Sequence, residues 1–134
     1  YFEIAANVAK KSTMIQKHGC VIVHKKQILA MACNEMPCSF ADSIHAEINA
    51  INKIKHMRDI LKKCEMYVVR VGPDSMNNPL KYSKPCLNCT RYIQSFGIPK
   101  IYYSTNYERD LFTFNHPIDC KLLQCQNHYN DAIC

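Results

Sequence analysis

The chain has 134 residues, 48% of them hydrophobic and 21% charged, and carries a formal net charge of +6. That length suits a single domain over residues 1–134, the composition is not that of a disordered chain, and the apolar runs are too short to span a bilayer. The basic excess, 17 Lys and Arg against 11 Asp and Glu, suits a phosphate-bearing partner as well as it suits a solvated surface.

In chain order, Phe2 to Gln16 reads as a helix: Phe2, Ala5, Ala6, Ala9, Thr13 and Gln16 recur at helical spacing, and Ala is frequent. His18-Gly19 stops it. Two β-branched or apolar runs, Cys20 to Val23 and Ile28 to Ala32, flank the polar turn His24 to Gln27 and predict a hairpin. A loop over Asn34 to Ser43 contains Pro37. From Ile44 the helical period returns, with Ala46, Ala50, Ile51, Ile54 and Met57 on one broad apolar face and Ser43 as the expected N-cap. Met66 to Val71 is a strand of the buried type. Gly72 to Lys84 is a polar loop long enough to serve a function. Pro85 enters a second helix, Cys86 to Phe96, which Gly97 closes. Ile101 to Ser104 is the next strand, and Lys121 to Tyr129 suggests a short helix. This order predicts an α/β fold, a mixed central sheet with helices packed on it.

Nine cysteines are many for this length. A disulfide framework is disfavoured by the odd count, by the ample apolar content and by the Cys86-x-x-Cys89 pair beside Pro85. The thiols are expected to be free or metal-bound, in a reducing, cytoplasmic compartment.

Two short segments carry chemistry: His45-Ala46-Glu47 and Pro85-Cys86-Leu87-Asn88-Cys89. A Cys-x-x-Cys pair at a helix start sits where free amides and the helix dipole favour the thiolate, which is the metal-binding form. One imidazole from a second helix start completes a three-ligand set. Zinc held by three protein ligands keeps a fourth position for water, whereas structural zinc usually has four ligands. Such an ion brings the pKa of its water to ~7, and Glu47, two residues beyond His45, is placed to move protons rather than to bind metal. Taken singly, each half has a plain alternative, a redox pair or half a zinc ribbon for the cysteines and a core residue for His45. Together, in this order, they point to one catalytic zinc.

His-x-Glu followed by Pro-Cys-x-x-Cys matches the known zinc-deaminase signature. From Phe2 to about Ser104 the chain resembles the cytidine and deoxycytidylate deaminase superfamily. His18-Gly19-Cys20-Val21-Ile22-Val23 resembles the family's His-Gly-Ala-Val-Ile-Val opening. His45-Ala46-Glu47-Ile48-Asn49-Ala50-Ile51 is similar to the His-Ala-Glu-x-Asn-Ala-Ile run of deoxycytidylate deaminases, which points to cytosine over adenine. Gly97-Ile98 and Ile101 to Ser104 resemble the step that follows the zinc cysteines. The resemblance implies a cytidine-deaminase-like α/β/α sandwich with helices on both faces, a homo-oligomer, and hydrolytic release of ammonia from a cytosine nucleoside or nucleotide. It also implies that Asn34, with Met36-Pro37, contacts the sugar or base, and that the backbone at Lys84 and Pro85 receives the leaving amine. Asn49 is a further expected substrate contact, because an amide both donates and accepts. Glu35 departs from the Gly usual in deoxycytidylate deaminases, and the Gly72 to Lys84 segment is longer than theirs. A base within RNA or single-stranded DNA is the alternative substrate, and no membrane partner is expected.

Among the remaining features, Cys120, Cys125, His128 and Cys134 have spacings compatible with a structural zinc, although a spectator cysteine-rich tail is the stronger reading. Lys53, Lys55, Lys62 and Lys63 read as a solvated helix face with some capacity for phosphate.

Overall fold

The computed structural model describes residues 1–37, 42–76 and 80–104. Helix α1 (Phe2–Ala9) leads into the hairpin β1 (Lys17–His24) and β2 (Gln27–Cys33). Helices α2 (Ala46–Ile54) and α3 (Arg58–Leu61) follow, then β3 (Glu65–Val71), a 3-10 turn at Asp74–Met76, the short β4 (Leu80–Lys81), α4 (Leu87–Ser95) and β5 (Lys100–Tyr103). The expected helix at Lys121 to Tyr129 and the Cys120, Cys125, His128 and Cys134 group lie outside the described residues.

The sheet is mixed. β1 pairs antiparallel with β2 on one side and with β3 on the other. The far edge of β3 is shared: Glu65 to Val68 pair in parallel with β5, and Arg70 and Val71 pair antiparallel with β4. Alternation along β1 sends Cys20 and Ile22 into one core and Val21 and Val23 into another, so the strand is buried on both faces and reads as a continuous apolar run. Val21, Val23, Val69 and Val71 meet α1 through Ala5 and Ala9. On the other face Ile22, Met66, Val68 and Ile101 meet Ala50 and Ile51 of α2, Leu61 of α3 and Ile93 of α4. This is the α/β sandwich with helices on both faces that the sequence leads one to expect.

Several boundaries differ, each for a local reason. α1 ends at Ala9 rather than Gln16, because the Ser12 hydroxyl donates to Asn34 O (3.0 Å) and accepts from Met14 N (3.2 Å), drawing the chain out of the helix. β1 consequently starts at Lys17, before Cys20. Ser43 is not the cap of α2: Glu35 and Ile44 exchange backbone hydrogen bonds (3.1 and 2.8 Å), which holds the chain extended, and His45 becomes the N-cap. The Gly72 to Lys84 segment is not all loop, since β4 lies within it. Its return is fixed by two buried serines: Ser83 Oγ donates to Val68 O (2.8 Å), and Ser104 Oγ donates to Lys81 O (2.6 Å) and accepts from Arg70 N (3.2 Å). These bonds close the seam where β4 and β5 meet along β3, and they set the chain's entry into Lys84-Pro85-Cys86.

Candidate active site

Two helix starts converge. His45 is the N-cap of α2 and Cys86 the N-cap of α4, both with extended backbone (φ/ψ −68°/151° and −71°/171°), and neither side chain caps its own helix. Ordinary N-cap side chains are worth about 1 kcal/mol to a helix. Here that stabilisation is forgone, and the imidazole and the thiol face each other instead. Cys89, one turn into α4, joins them, and the three ligand atoms lie within 4.8 Å of one another.

His45 Nδ1 stands 3.2 Å from Cys89 Sγ and 3.6 Å from Cys86 Sγ. A tetrahedral zinc with ordinary bond lengths requires N and S ligands ~3.6 Å apart. The donor set therefore fits that ion in type, number and spacing. Its electrostatics agree: burial, then Glu47, then Cys86 push the Cys89 thiol far above its ordinary range. The protonated thiol is therefore favoured at Cys89 in the absence of a cation, and a bound metal ion would be what holds it as the thiolate.

Glu47 occupies the first turn of α2 and is only 5% exposed. Burial raises its carboxyl above the usual carboxylate range, and its own backbone N–H, His45 and the Cys89 thiol draw it partly back. A buried carboxyl raised in this way is suited to accept and return a proton.

His45, Glu47 and Cys86 form part of the wall of a cleft of about 570 Å³. Lys84 and Asn34 also line it. The Asn34 amide, however, is already engaged by the chain: Oδ1 accepts from His18 N (2.9 Å) and Nδ2 donates to Gln16 O (2.7 Å). Asn34 thus pins the segment from Thr13 to Gln16, which forms one side of the cleft. Asn49 stands away from the cleft lining, and its Nδ2 donates to Cys33 O (2.9 Å), tying α2 to the end of β2. Sequence reasoning missed the wall made by Thr13, Met14 and Gln16 because it assigned them to a helix. The Ser12-Thr13 pair and the loss of apolar period after Ala9 were the available signals.

His18 lines the same cleft, and its imidazole pKa is lowered to about 4, by burial first and then by Arg70 and His45. The neutral ring is therefore the native form. The unfolded chain takes up a proton near pH 6.5 and the folded chain only near 4, so stability contributed by this residue is intact above pH 6.5 and is lost as pH falls through that window. The loss approaches ~3 kcal/mol. Urea titrations at pH 7 and pH 4.5 should show a smaller drop for His18→Gln than for the unaltered chain; equal drops would contradict this assignment.

Residues 1–105 match the family model of the cytidine and deoxycytidylate deaminase zinc-binding region. Among curated proteins, a tRNA-specific adenosine deaminase subunit, tad2 of Schizosaccharomyces pombe, is 26% identical over 113 residues. The match takes in 81% of this chain and 26% of that protein, so the chain spans about a quarter of its relative's length. Among solved structures, the dCMP deaminase of cyanophage S-TIM5 aligns with a TM-score of 0.57 and 24% identity, covering 77% of this chain and 78% of that one. The cytidine deaminase of Burkholderia pseudomallei aligns with a TM-score of 0.59 and 18% identity, covering 80% and 83%. At these identities the structural likenesses establish the fold.

Proposed function

This chain belongs to the family of the cytidine and deoxycytidylate deaminase zinc-binding region, and on that premise we propose that it converts a cytosine nucleoside or nucleotide, deoxycytidylate or cytidine, to the uracil form with release of ammonia. The observation that carries this reading is the buried Glu47 carboxyl, set against Cys89 and on the wall of the same cleft as His45 and Cys86.

His45 Nδ1 and the sulfurs of Cys86 and Cys89 would hold one zinc, which when bound acts as a Lewis acid that makes water a nucleophile near neutral pH. Glu47 takes a proton from the attacking water and delivers it to the ring nitrogen beside the attacked carbon. It then takes the remaining proton from the hydroxyl now on that carbon and passes it to the amine, so that the carbon–nitrogen bond breaks as the carbonyl forms. Two waters' atoms are not needed: one water adds, one ammonia leaves. Lys84, at the cleft wall beside Cys86, offers a cation for a substrate phosphate and a backbone carbonyl for the leaving amine. Thr13, Met14, Gln16 and Ser43 line the cleft around His45 and Glu47 and would flank the base.

Asn49-Ala50-Ile51 after Glu47 favours cytosine, and the cyanophage relative, solved with dCMP and dUMP, favours a free nucleotide. A second reading, a base within RNA or single-stranded DNA, draws on the curated tRNA-specific relative and on the net charge of +6. In either case we place the activity in one domain, in a homo-oligomer, in the reducing cytoplasm. No helix among the described residues is long and apolar enough to cross a membrane.

Ammonia release should be measured on deoxycytidylate, cytidine, deoxycytidine and a cytosine-bearing oligonucleotide. Turnover of a monomer supports the proposal. Uracil appearing only in the strand, with every monomer inert, would overturn it in favour of the second reading.

A further inference from the structure

The end of the sheet opposite the cleft has a character of its own. β1 runs from His18, on the cleft wall, to His24, a span of roughly 20 Å at strand rise. Beyond His24, Lys25 and Lys26 form the two-residue hairpin turn, both exposed and both with positive φ (49° and 64°). Left-handed backbone is unfavourable for a residue with a Cβ, and Asn-Gly is the sequence that relieves it at such a turn. Two lysines here give up stability at a position where solubility alone would not require it.

Their neighbours share the charge. His24 Nδ1 lies 3.4 Å from Lys63 O, which brings the turn between α3 and β3 beside the hairpin tip. Lys62 packs near Gly97, where an added Cβ would meet its Cγ at 3.2 Å, and Lys100 opens β5 alongside Glu65 at the start of β3. Arg58, at the start of α3, lies over the Phe96 ring at 4.8 Å. Lys25, Lys26, Lys62, Lys63 and Lys100 are all exposed, and none is paired with a carboxylate among the described residues. They follow the ends of adjacent strands, which lie ~4.8 Å apart, and so make a row rather than a scatter.

We infer that this row is a docking surface for the phosphate backbone of a nucleic-acid strand, separate from the cleft. A row of cations matches a polyanion with regularly repeating charge. An anionic membrane fits less well, because surfaces that bind lipid add apolar side chains for insertion. The exposed large apolar residues of the described chain, such as Ile15, Met36, Met76 and Leu87, all lie outside the hairpin tip, the α3–β3 turn and the segment leading to β5. The inference does not depend on the chemistry of the cleft.

The test uses binding of a fluorescent single-stranded oligonucleotide by the full chain at several salt concentrations, followed by anisotropy. The affinity should fall steeply with salt, with a slope of ~0.7 per phosphate neutralised. The decisive variant replaces Lys25-Lys26 by Asn-Gly. It should melt at a higher temperature than the unaltered chain, so misfolding cannot explain a loss, yet bind the strand ~10-fold more weakly with a slope reduced by ~1.4. The pair K62E and K63E should weaken binding further, whereas K10E with K11E, on the segment after α1, should change it much less. Ammonia release from a monomer substrate should not change in the Asn-Gly variant. Unchanged strand affinity in that variant overturns the inference. So does equal loss from changes at Lys10 and Lys11, or tighter binding to phosphatidylserine vesicles than to the strand.

Discussion

Glu47→Ala is expected to lower kcat by ~10³-fold or more, while zinc content and melting temperature stay close to those of the unaltered chain. The reason is the division of labour at the site. His45, Cys86 and Cys89 supply the three ligand atoms, and Glu47 is not needed to complete that set. Its carboxyl instead lies buried on the cleft wall, where a proton has few other carriers. Glu47→Gln keeps the shape and the hydrogen bonding but cannot cycle a proton, so it should be nearly as inactive as the Ala variant. A steady-state assay of ammonia release with parallel zinc analysis checks both. Substantial turnover by Glu47→Gln would remove Glu47 from the mechanism; loss of zinc in either variant would instead make it a ligand.

Gly19→Ala should destabilise the fold by about 3 kcal/mol or more, a fall in melting temperature of ~10 °C, through its contact with α1. A Cβ at Gly19 would lie 2.1 Å from Ala5 O, 2.7 Å from Ala9 N and 3.0 Å from Ala9 Cβ. Two of those atoms are helix backbone, so no side chain can move aside, and α1 itself must lift from β1. That lift opens the apolar contacts of Ala5 and Ala9 with Val21 and Val69. Thermal unfolding followed by circular dichroism reads the effect. Adding Ala9→Gly should fail to restore stability, because it trims only the least severe of the three contacts; full rescue would show that the backbone atoms were never the obstacle.

How much of this was legible beforehand depended on whether the information was local. His45 to Glu47 and Pro85 to Cys89 are each contained within one helical turn, so their types and spacing could be read directly. That the two halves meet, although 41 residues separate His45 from Cys86, followed from chemistry: neither half makes a site alone. The strands were readable to within a few residues because β1 and β3 are buried on both faces and carry unbroken apolar runs. The helix expected over Phe2 to Gln16 was too long because alanine content outweighed the Ser12 hydroxyl, whose partner, Asn34, is 22 residues away. Other long-range contacts, with His18 N and Gln16 O, turned Asn34 from a free amide into a pin for the cleft wall. Ser83 and Ser104 gave no signal at all, since an isolated serine does not announce that it will be buried at a seam between strands. The tight turn was placed correctly, but two lysines in left-handed backbone could not be foreseen from residue types that disfavour it.

The central claim, that the site is a zinc-dependent deaminase centre, is tested most directly by metal reconstitution. The chain would be stripped with a chelator, zinc added back in steps, and ammonia release and bound zinc recorded together at each step. The account predicts negligible turnover without metal, activity rising in proportion to zinc and levelling near one bound ion per chain, and neither binding nor activity recovered in Cys86→Ser or Cys89→Ser. Full turnover by the stripped protein, or full zinc binding by both cysteine variants, would contradict it.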